Sequence, residues 1–417
     1  MTRAVKGILG FAGIAVILVI CALAYVLAMW NKSVDRAAPV MVARHDSATV
    51  ARGEYLFKVT WQCWGCHQSG SPDSDAPPSG GRAFDLRTTG PGFGIFYSKN
   101  ITSDTATGLG AWTDGEIVQA IREGVNKNRQ LLFPIMPADW LKDLSDDDVL
   151  AIVAYLRSIP PVHNPVPEHQ RSLMAKALIA FTIIQPTPAI TKPVLAPPAG
   201  PTTEYGRYLA TAAAGCADCH TPRNLQNGEF YLDSMFAGGS FAFGEEEGSP
   251  SVAWASNIRP HVMDGIGRWT EKQFIDAVTA GARPDSTALD PHMPYPHYKF
   301  LAENDLRALY LYLKSLEPMP RTTPLQRYSR KVQEAQGSAR GELLFEARCQ
   351  PCHGVKGRGT RLTSGHLSAV MPFYTDEDLR NFVREGQVDL KMPAFRKTLS
   401  REQLDDIIAF IRTWETQ

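Results

Sequence analysis

Residues 7–30 form an uncharged, strongly apolar run preceded by Arg3 and Lys6. As a helix they reach about 36 Å, enough to cross a hydrocarbon core of about 30 Å with modest tilt. Cations before the run and Trp30 at its end place the N-terminus in the cytoplasm and the remainder outside. The alternative is a removed signal peptide, because Ala22-Leu23-Ala24 resembles a small-x-small cleavage site. Against it stands the length of the run, since a signal core usually has about 7–15 apolar residues. Cys21 reads as a buried apolar residue of this helix.

Further along, apolar positions fall at helical spacing in three similar places. Val149, Ile152, Val153 and Leu156 mark a helix over 148–158 bearing Tyr155. Equivalent patterns cover 305–315 with Tyr312 and 403–414 with Phe410. Upstream of each lies another helix signal, a threonine followed by acidic or amide residues: Thr113-Asp114, Thr270-Glu271 and Thr375-Asp376. Those helices run to Gly124, Gly281 and Gly386, which suit a C-terminal stop. Residues 173–184 are apolar apart from Lys176 and Thr182 and are too short to span a bilayer. They lie on a membrane surface, under another subunit, or against their own domain.

Six of the seven cysteines fall in one pattern. Cys63-Trp64-Gly65-Cys66-His67, Cys216-Ala217-Asp218-Cys219-His220 and Cys349-Gln350-Pro351-Cys352-His353 are three copies of CxxCH, the attachment sequence of c-type haem. Two intervening residues set the sulfurs where each adds to one vinyl group of the same porphyrin. The adjoining histidine then meets the iron from one face. A zinc knuckle needs further cysteine or histidine ligands at matching spacing, and no cysteines remain. Three covalent haem c groups also fit a chain exported from the cytoplasm, where each paired thiol is already bonded.

The surroundings repeat as well. Gly53-Glu54-Tyr55-Leu56, Gly206-Arg207-Tyr208-Leu209 and Gly341-Glu342-Leu343-Leu344 precede the motifs. Those glycines let the first and last helices of each repeat cross closely. The order is helix, CxxCH, loops, helix, Met-Pro, helix. It predicts an anchor at 1–31 and domains at 48–166, 202–318 and 337–417. Six prolines in the sixteen residues 186–201 make the first connector stiff and extended.

Met136-Pro137, Met293-Pro294 and Met392-Pro393 occupy one place in the three repeats. They nominate Met136, Met293 and Met392 as sixth ligands opposite His67, His220 and His353, a thioether arrangement used for electron transfer. Met371, also before a proline, competes for the third iron and His292 for the second; neither has a counterpart in the other repeats. Six-coordinate irons leave no position for substrate, so the chain relays electrons and has no catalytic residues of its own. GxSxG, HExxH, Walker A and dinucleotide fingerprints are missing from the sequence. With 43 basic and 43 acidic residues the formal net charge is zero, which gives no support to nucleic-acid binding.

The repeated order resembles class I cytochrome c, an all-α domain around one haem. Asn100-Ile101-Thr102 with Gly108-Leu109-Gly110-Ala111-Trp112, and Asn257-Ile258 with Gly265-Ile266-Gly267-Arg268-Trp269, extend the likeness. Residues 48–318 resemble the triheme cytochrome c subunit of membrane-bound periplasmic dehydrogenases of acetic acid bacteria. The resemblance implies a bacterial inner-membrane protein with periplasmic haem domains, taking electrons from a catalytic subunit and passing them to ubiquinone. It favours an aldehyde dehydrogenase type with molybdenum-cofactor and iron–sulfur subunits; the alternatives are a quinoprotein or flavin alcohol or sugar dehydrogenase, or a free carrier feeding a terminal oxidase. The third repeat departs from the pattern. It has 39 residues from His353 to Met392 against 69 and 73 in the others, and it lacks the Asn-Ile element.

Overall fold

The computed structural model describes residues 3–321 except 69–75, 88–91, 225–227, 241, 244–252, 286–287 and 291, and residues 336–414 except 350–352, 354–356, 359–366, 368–372, 388–391, 393–394 and 396–398. Cys352, His366 and Met371 lie outside the described residues.

The apolar N-terminal run is a helix, α1 (Arg3–Met29). Its segment Phe11–Met29 has a mean hydropathy of 2.8 and is almost wholly exposed. Cys21 is exposed too, contrary to the expectation that it is buried. Protein covers α1 near its C-terminal end, where Val26 is buried and Tyr25 stacks on Phe181.

After an extended stretch come α2 (Ser47–Tyr55), running into a π-helical turn Leu56–Thr60, and α3 (Cys63–His67). Strands β1 (Ala83–Asp85) and β2 (Gly94–Tyr97) lead to α4 (Asp114–Glu123), α5 (Ala138–Leu141) and α6 (Asp146–Ser158). Strand β3 (Gln170–Arg171) and α7 (Leu173–Ala180) follow. The order then recurs as α8 (Thr203–Tyr208) with a π-helical turn Leu209–Ala213, α9 (Cys216–His220), β4 (Ala242–Phe243), β5 (Ala253–Trp254), α10 (Glu271–Ala280), α11 (Tyr295–Tyr298) and α12 (Glu303–Ser315). Helices α13 (Gly337–Arg348), α14 (Asp376–Glu385) and α15 (Arg401–Arg412) complete the described elements.

The helices begin where the sequence signals them. Thr113, Thr270 and Thr375 each accept from the third helical N–H, while Glu116, Gln273 and Asp378 reach back to the cap. Gly124 and Gly281 close α4 and α10 in the left-handed region at φ 65° and 66°. The all-α expectation is departed from in the short strands. β2 takes β1 on one edge and β3 on the other, both antiparallel, with Ile95 opposite Gln170. Runs of two to four residues are too short to show an alternating pattern.

One contact recurs three times. A Cβ on Gly53 would meet the Ala151 carbonyl oxygen at 1.9 Å; on Gly206, that of Ala308 at 1.9 Å; on Gly341, that of Asp406 at 1.9 Å. The next obstacles are the Cβ atoms of Tyr155, Tyr312 and Phe410, 2.8–2.9 Å away. So α2 crosses α6, α8 crosses α12 and α13 crosses α15 backbone against backbone, with an aromatic ring beside each crossing.

The first two repeats share one core. Leu56, Ile117, Val149 and Val153 belong to the same buried cluster as Leu209, Phe274, Leu309 and Leu313. They also exchange tyrosines. Tyr55 donates to Asp305 Oδ2 at 2.7 Å and accepts from the Ala302 N–H at 3.1 Å. Tyr208 donates to Asp148 Oδ2 at 2.7 Å and accepts from the Ser145 N–H at 3.1 Å. Each tyrosine thus caps the N-terminus of the other repeat's last helix. The third repeat has its own cluster around Leu344, Phe345, Ile407 and Ile408, and Leu343 stands where the other two have tyrosine.

Gly206→Ala forces the α8–α12 backbones apart and should destabilise the protein by about 1–3 kcal/mol in denaturant unfolding, the usual cost of overpacking. Gly13→Ala, with nothing within 4 Å of its Cβ, should leave stability unchanged. Tyr55→Phe should cost more than Tyr208→Phe. Asp148 keeps a bidentate pair with Arg52 at 2.8 Å, whereas Asp305 has no salt bridge among the described residues. We expect about 1–3 kcal/mol for the former, read from the same unfolding curves.

Candidate haem-binding sites

Each CxxCH lies on a single helical turn. In α3 and α9 the two cysteines are three apart and the histidine follows, so all three side chains leave one face. The chain enters α3 through Gln62 at φ 51° and α9 through Gly215 at φ 63°, a left-handed residue that separates the π-helical turn from the motif. At the third motif the His353 N–H bonds to the Cys349 carbonyl at 2.8 Å, again a helical turn. Cys349 and His353 are thus placed together, while Cys352 is outside the described residues.

The imidazoles of the first two motifs are held alike. His67 Nδ1 lies 2.8 Å from the Lys99 carbonyl oxygen, and His220 Nδ1 lies 2.6 Å from that of Ser256. A carbonyl only accepts, so the proton sits on Nδ1 and the Nε2 lone pair is left for a metal. Burial also lowers the basicity of both rings and keeps them neutral. Lys99 and Ser256 are the residues directly before Asn100 and Asn257. Asn100 donates to Thr107 Oγ1 at 2.9 Å and the Val162 carbonyl at 2.8 Å; Asn257 donates to the Met319 carbonyl at 2.7 Å. The Asn-Ile element therefore fixes the loop whose carbonyl orients the histidine.

Burial pushes the Cys63 and Cys216 thiols up to about 12. A redox dithiol shows the opposite shift, towards the thiolate. Among the described residues no group of three or more His, Cys, Asp and Glu gathers, so the motifs offer two thiols and one imidazole, short of a zinc tetrad. That donor set fits a porphyrin attached through both sulfurs.

The three methionines differ in setting. Met136 and Met293 are half-buried against the shared core, each followed by a proline that starts a short helix, α5 or α11. Both arms leave their stop glycine through a one-pair bridge, Val125 with Leu131 and Ala282 with Ala288, and reach methionine five residues later. In the third repeat Met392 is itself the bridge partner of Gln387, with both backbone bonds at 2.9 Å. The competitor His292 is exposed and bonded to Asp290 Oδ1 at 2.6 Å. His169 is half-buried beside Phe96 and accepts from the Tyr97 N–H at 3.2 Å.

The first two motifs also touch through residues the sequence did not single out. Trp61 donates its indole N–H to the Ala212 carbonyl at 2.6 Å, and its ring fills the space a Cβ on Gly215 would need, 2.8 Å away. Trp64, between Cys63 and Cys66, packs edge-on to His297, at 5.0 Å between ring centres. The residue two before Cys63 thus lies on the residue directly before Cys216. Alanines at the matching positions 214 and 217 are the sequence signal: bulk on one side, space on the other.

Residues 50–160 match the cytochrome c family, and residues 336–411 match the family described as cytochrome c oxidase, cbb3-type, subunit III. The chain is 30% identical to the cytochrome c subunit of alcohol dehydrogenase (quinone) from Gluconacetobacter polyoxogenes, over 88% of this chain and 81% of that one. It is 28% identical to the gluconate 2-dehydrogenase cytochrome c subunit of Pantoea cypripedii, over 88% of this chain and 86% of the other. It is 26% identical to the fructose dehydrogenase cytochrome subunit of Gluconobacter japonicus, over 80% of this chain and 70% of that one. The chain belongs to the family of cytochrome c subunits of alcohol and gluconate dehydrogenases.

Proposed function

We propose that this chain carries three covalent haem c groups in three tandem cytochrome c-like domains, 48–166, 202–318 and 337–417, and relays electrons from a catalytic dehydrogenase subunit to membrane ubiquinone. Helix α1 anchors it in the bacterial inner membrane with the haem domains in the periplasm. The observation that carries this reading is the pair of matched imidazoles, each a neutral ring with Nδ1 tied to a loop carbonyl beside two thiols on the same helical turn.

Each bound haem supplies a one-electron iron couple, raised in potential by thioether ligation. The residues of the chain do the rest. Cys63, Cys66, Cys216, Cys219, Cys349 and Cys352 would hold the porphyrins through thioether bonds; His67, His220 and His353 would supply the imidazole ligands. Met136, Met293 and Met392 would supply the thioether ligands. Trp61 and Trp64 keep the first two motifs in contact, which suits electron exchange between them.

For the catalytic partner, the relatives weigh toward an alcohol, gluconate or fructose dehydrogenase, the quinoprotein or flavin alternative to the aldehyde type with molybdenum and iron–sulfur subunits. Purification from native membranes and identification of the companion subunits decides between them. A chain that purifies alone, still in its membrane, would point to a free carrier feeding a terminal oxidase.

A pyridine haemochrome assay should return three equivalents per polypeptide. Met136→Ala and Met293→Ala should each lower the potential of one haem in a redox titration and leave the other two in place. The reduced parent protein should bind carbon monoxide slowly and far below one equivalent. Rapid stoichiometric binding would identify an open iron and a catalytic role.

A further inference from the structure

The apolar segment after the first repeat packs by one face and leaves the other bare. Ala175 and Ile184 are buried with Phe96 and Phe133, and Leu178 and Ile179 pack against them. Leu131 and Ile135, on the arm that leads to Met136, belong to the same cluster. The opposite face carries Leu173, Met174, Phe181 and Ile183, between 45% and 52% exposed. No acid lies in 173–184, and the one charge is Lys176.

What covers that face follows from α1. The Phe181 ring stacks on Tyr25 at 5.3 Å with 29° between planes, and the Tyr25 hydroxyl reaches the Ala180 carbonyl at 3.4 Å. Tyr25 lies four residues before Met29, so it stands about 6 Å inside the end of the apolar helix. The apolar run 7–30 reaches about 36 Å as a helix against a core of about 30 Å, so centring it leaves about 3 Å over at each end. Tyr25 is therefore within the bilayer boundary, and the Phe181 ring stacked on it lies at the same height. Trp30, the last residue of the run, has the Lys176 ammonium 5.1 Å and the Arg171 guanidinium 5.5 Å from its ring. An aromatic ring with two cations at that height suits the phosphate level of an anionic phospholipid.

We propose that α7 with Phe181 and Ile183 is a membrane foot, an interfacial helix whose bare face lies in the lipid surface beside α1. The proposal rests on α1 being a membrane span. Its inner face supports the Met136 arm, so the foot sets the first haem site, rather than the second, against the bilayer where a quinone diffuses. The stretch 32–46 is bonded along α4 and Tyr25 packs on Phe181, so the first domain is tied to its anchor and the foot is a second lipid contact on the same side.

The test uses the full-length, haem-loaded chain in nanodiscs of phosphatidylcholine with phosphatidylglycerol, on a Cys21→Ala background. Spin labels go on Met174→Cys and Ile183→Cys in the foot, with Leu173→Cys as an independent foot position. Leu18→Cys reports on the span, and Lys272→Cys on the exposed surface of α10. An unchanged haem absorption spectrum certifies the fold of each variant. We expect the ratio of oxygen to nickel-chelate accessibility in the foot to exceed that at 272 several-fold, in the same direction as at 18. Foot labels that match 272 while 18 reads lipid would overturn the foot and leave the span standing. An aqueous reading at 18 would overturn the span and the foot together. Foot labels shielded from both reagents would assign the face to another subunit or a second copy, which also overturns the proposal.

Discussion

The structure depends on two helices touching at a glycine. In each repeat the first helix has no Cβ where it meets a carbonyl of the last, and the side-chain position would lie 1.9 Å from that oxygen. Such closeness brings the ends of the repeat together although nearly a hundred residues separate Gly53 from Ala151. Everything between them is then a loop closed at its base. The motif turn, the loop that orients the histidine and the methionine arm hang from that crossing, and its geometry sets how much room they enclose. The Cβ of an aromatic, Tyr155, Tyr312 or Phe410, lies beside each contact.

A second constraint distinguishes the first two repeats from the third. Helix N-termini leave unsatisfied N–H groups. Tyr55 and Tyr208 satisfy them across the boundary, each for the other repeat, and set a phenol against the Asp305 or Asp148 carboxylate in the first turn. An exchange of this kind works only if both partners are present, so it ties the two repeats into one body with a continuous core. Burial raises the pKa of Asp305, and the Tyr55 hydroxyl opposes the shift. With leucine at 343 the third repeat has no phenol to offer. Its Arg340 is spent within the repeat on Glu402 and Asp406.

Much of this was legible because it rests on chemistry carried by single residues. The helix caps at Thr113, Thr270 and Thr375, the stops at Gly124 and Gly281, and the crossing glycines each demand one residue type at one place. The histidine supports were half-legible: Asn100 and Asn257 stand out as a repeated pair, but the groups that act are backbone carbonyls one residue earlier, which no side chain advertises. The extended stretch 32–46 left no trace in periodicity, yet Ala37 and Ala43 bond to Gln119 and Asp114 on α4, and Gly115 is glycine because the Pro39 carbonyl lies 1.8 Å from its missing Cβ. A chain laid along a helix needs no pattern of its own. The tyrosine exchange and Trp61 escaped for another reason. They are contacts between repeats, and a repeat read alone shows only a phenol or an indole at the edge of its helix.

The three Met-Pro arms are alike in sequence but not in setting. The first two arms run twelve residues from stop glycine to methionine; the third runs six. Gly124 and Gly281 turn in the left-handed region with ψ near 30° and 17°, whereas Gly386 is left-handed in φ but extended in ψ at −179°. A shorter arm that leaves its helix in an extended direction has fewer residues to wrap the site, and its methionine is pinned by two backbone bonds to Gln387. Haem potential responds to burial and to the dipoles around the iron as well as to its ligands. Sites two and one share a core and touch at Trp61; site three stands on its own core with a tighter arm. In the proposed relay, sites with different surroundings have different potentials, and that difference is what gives an electron a preferred direction.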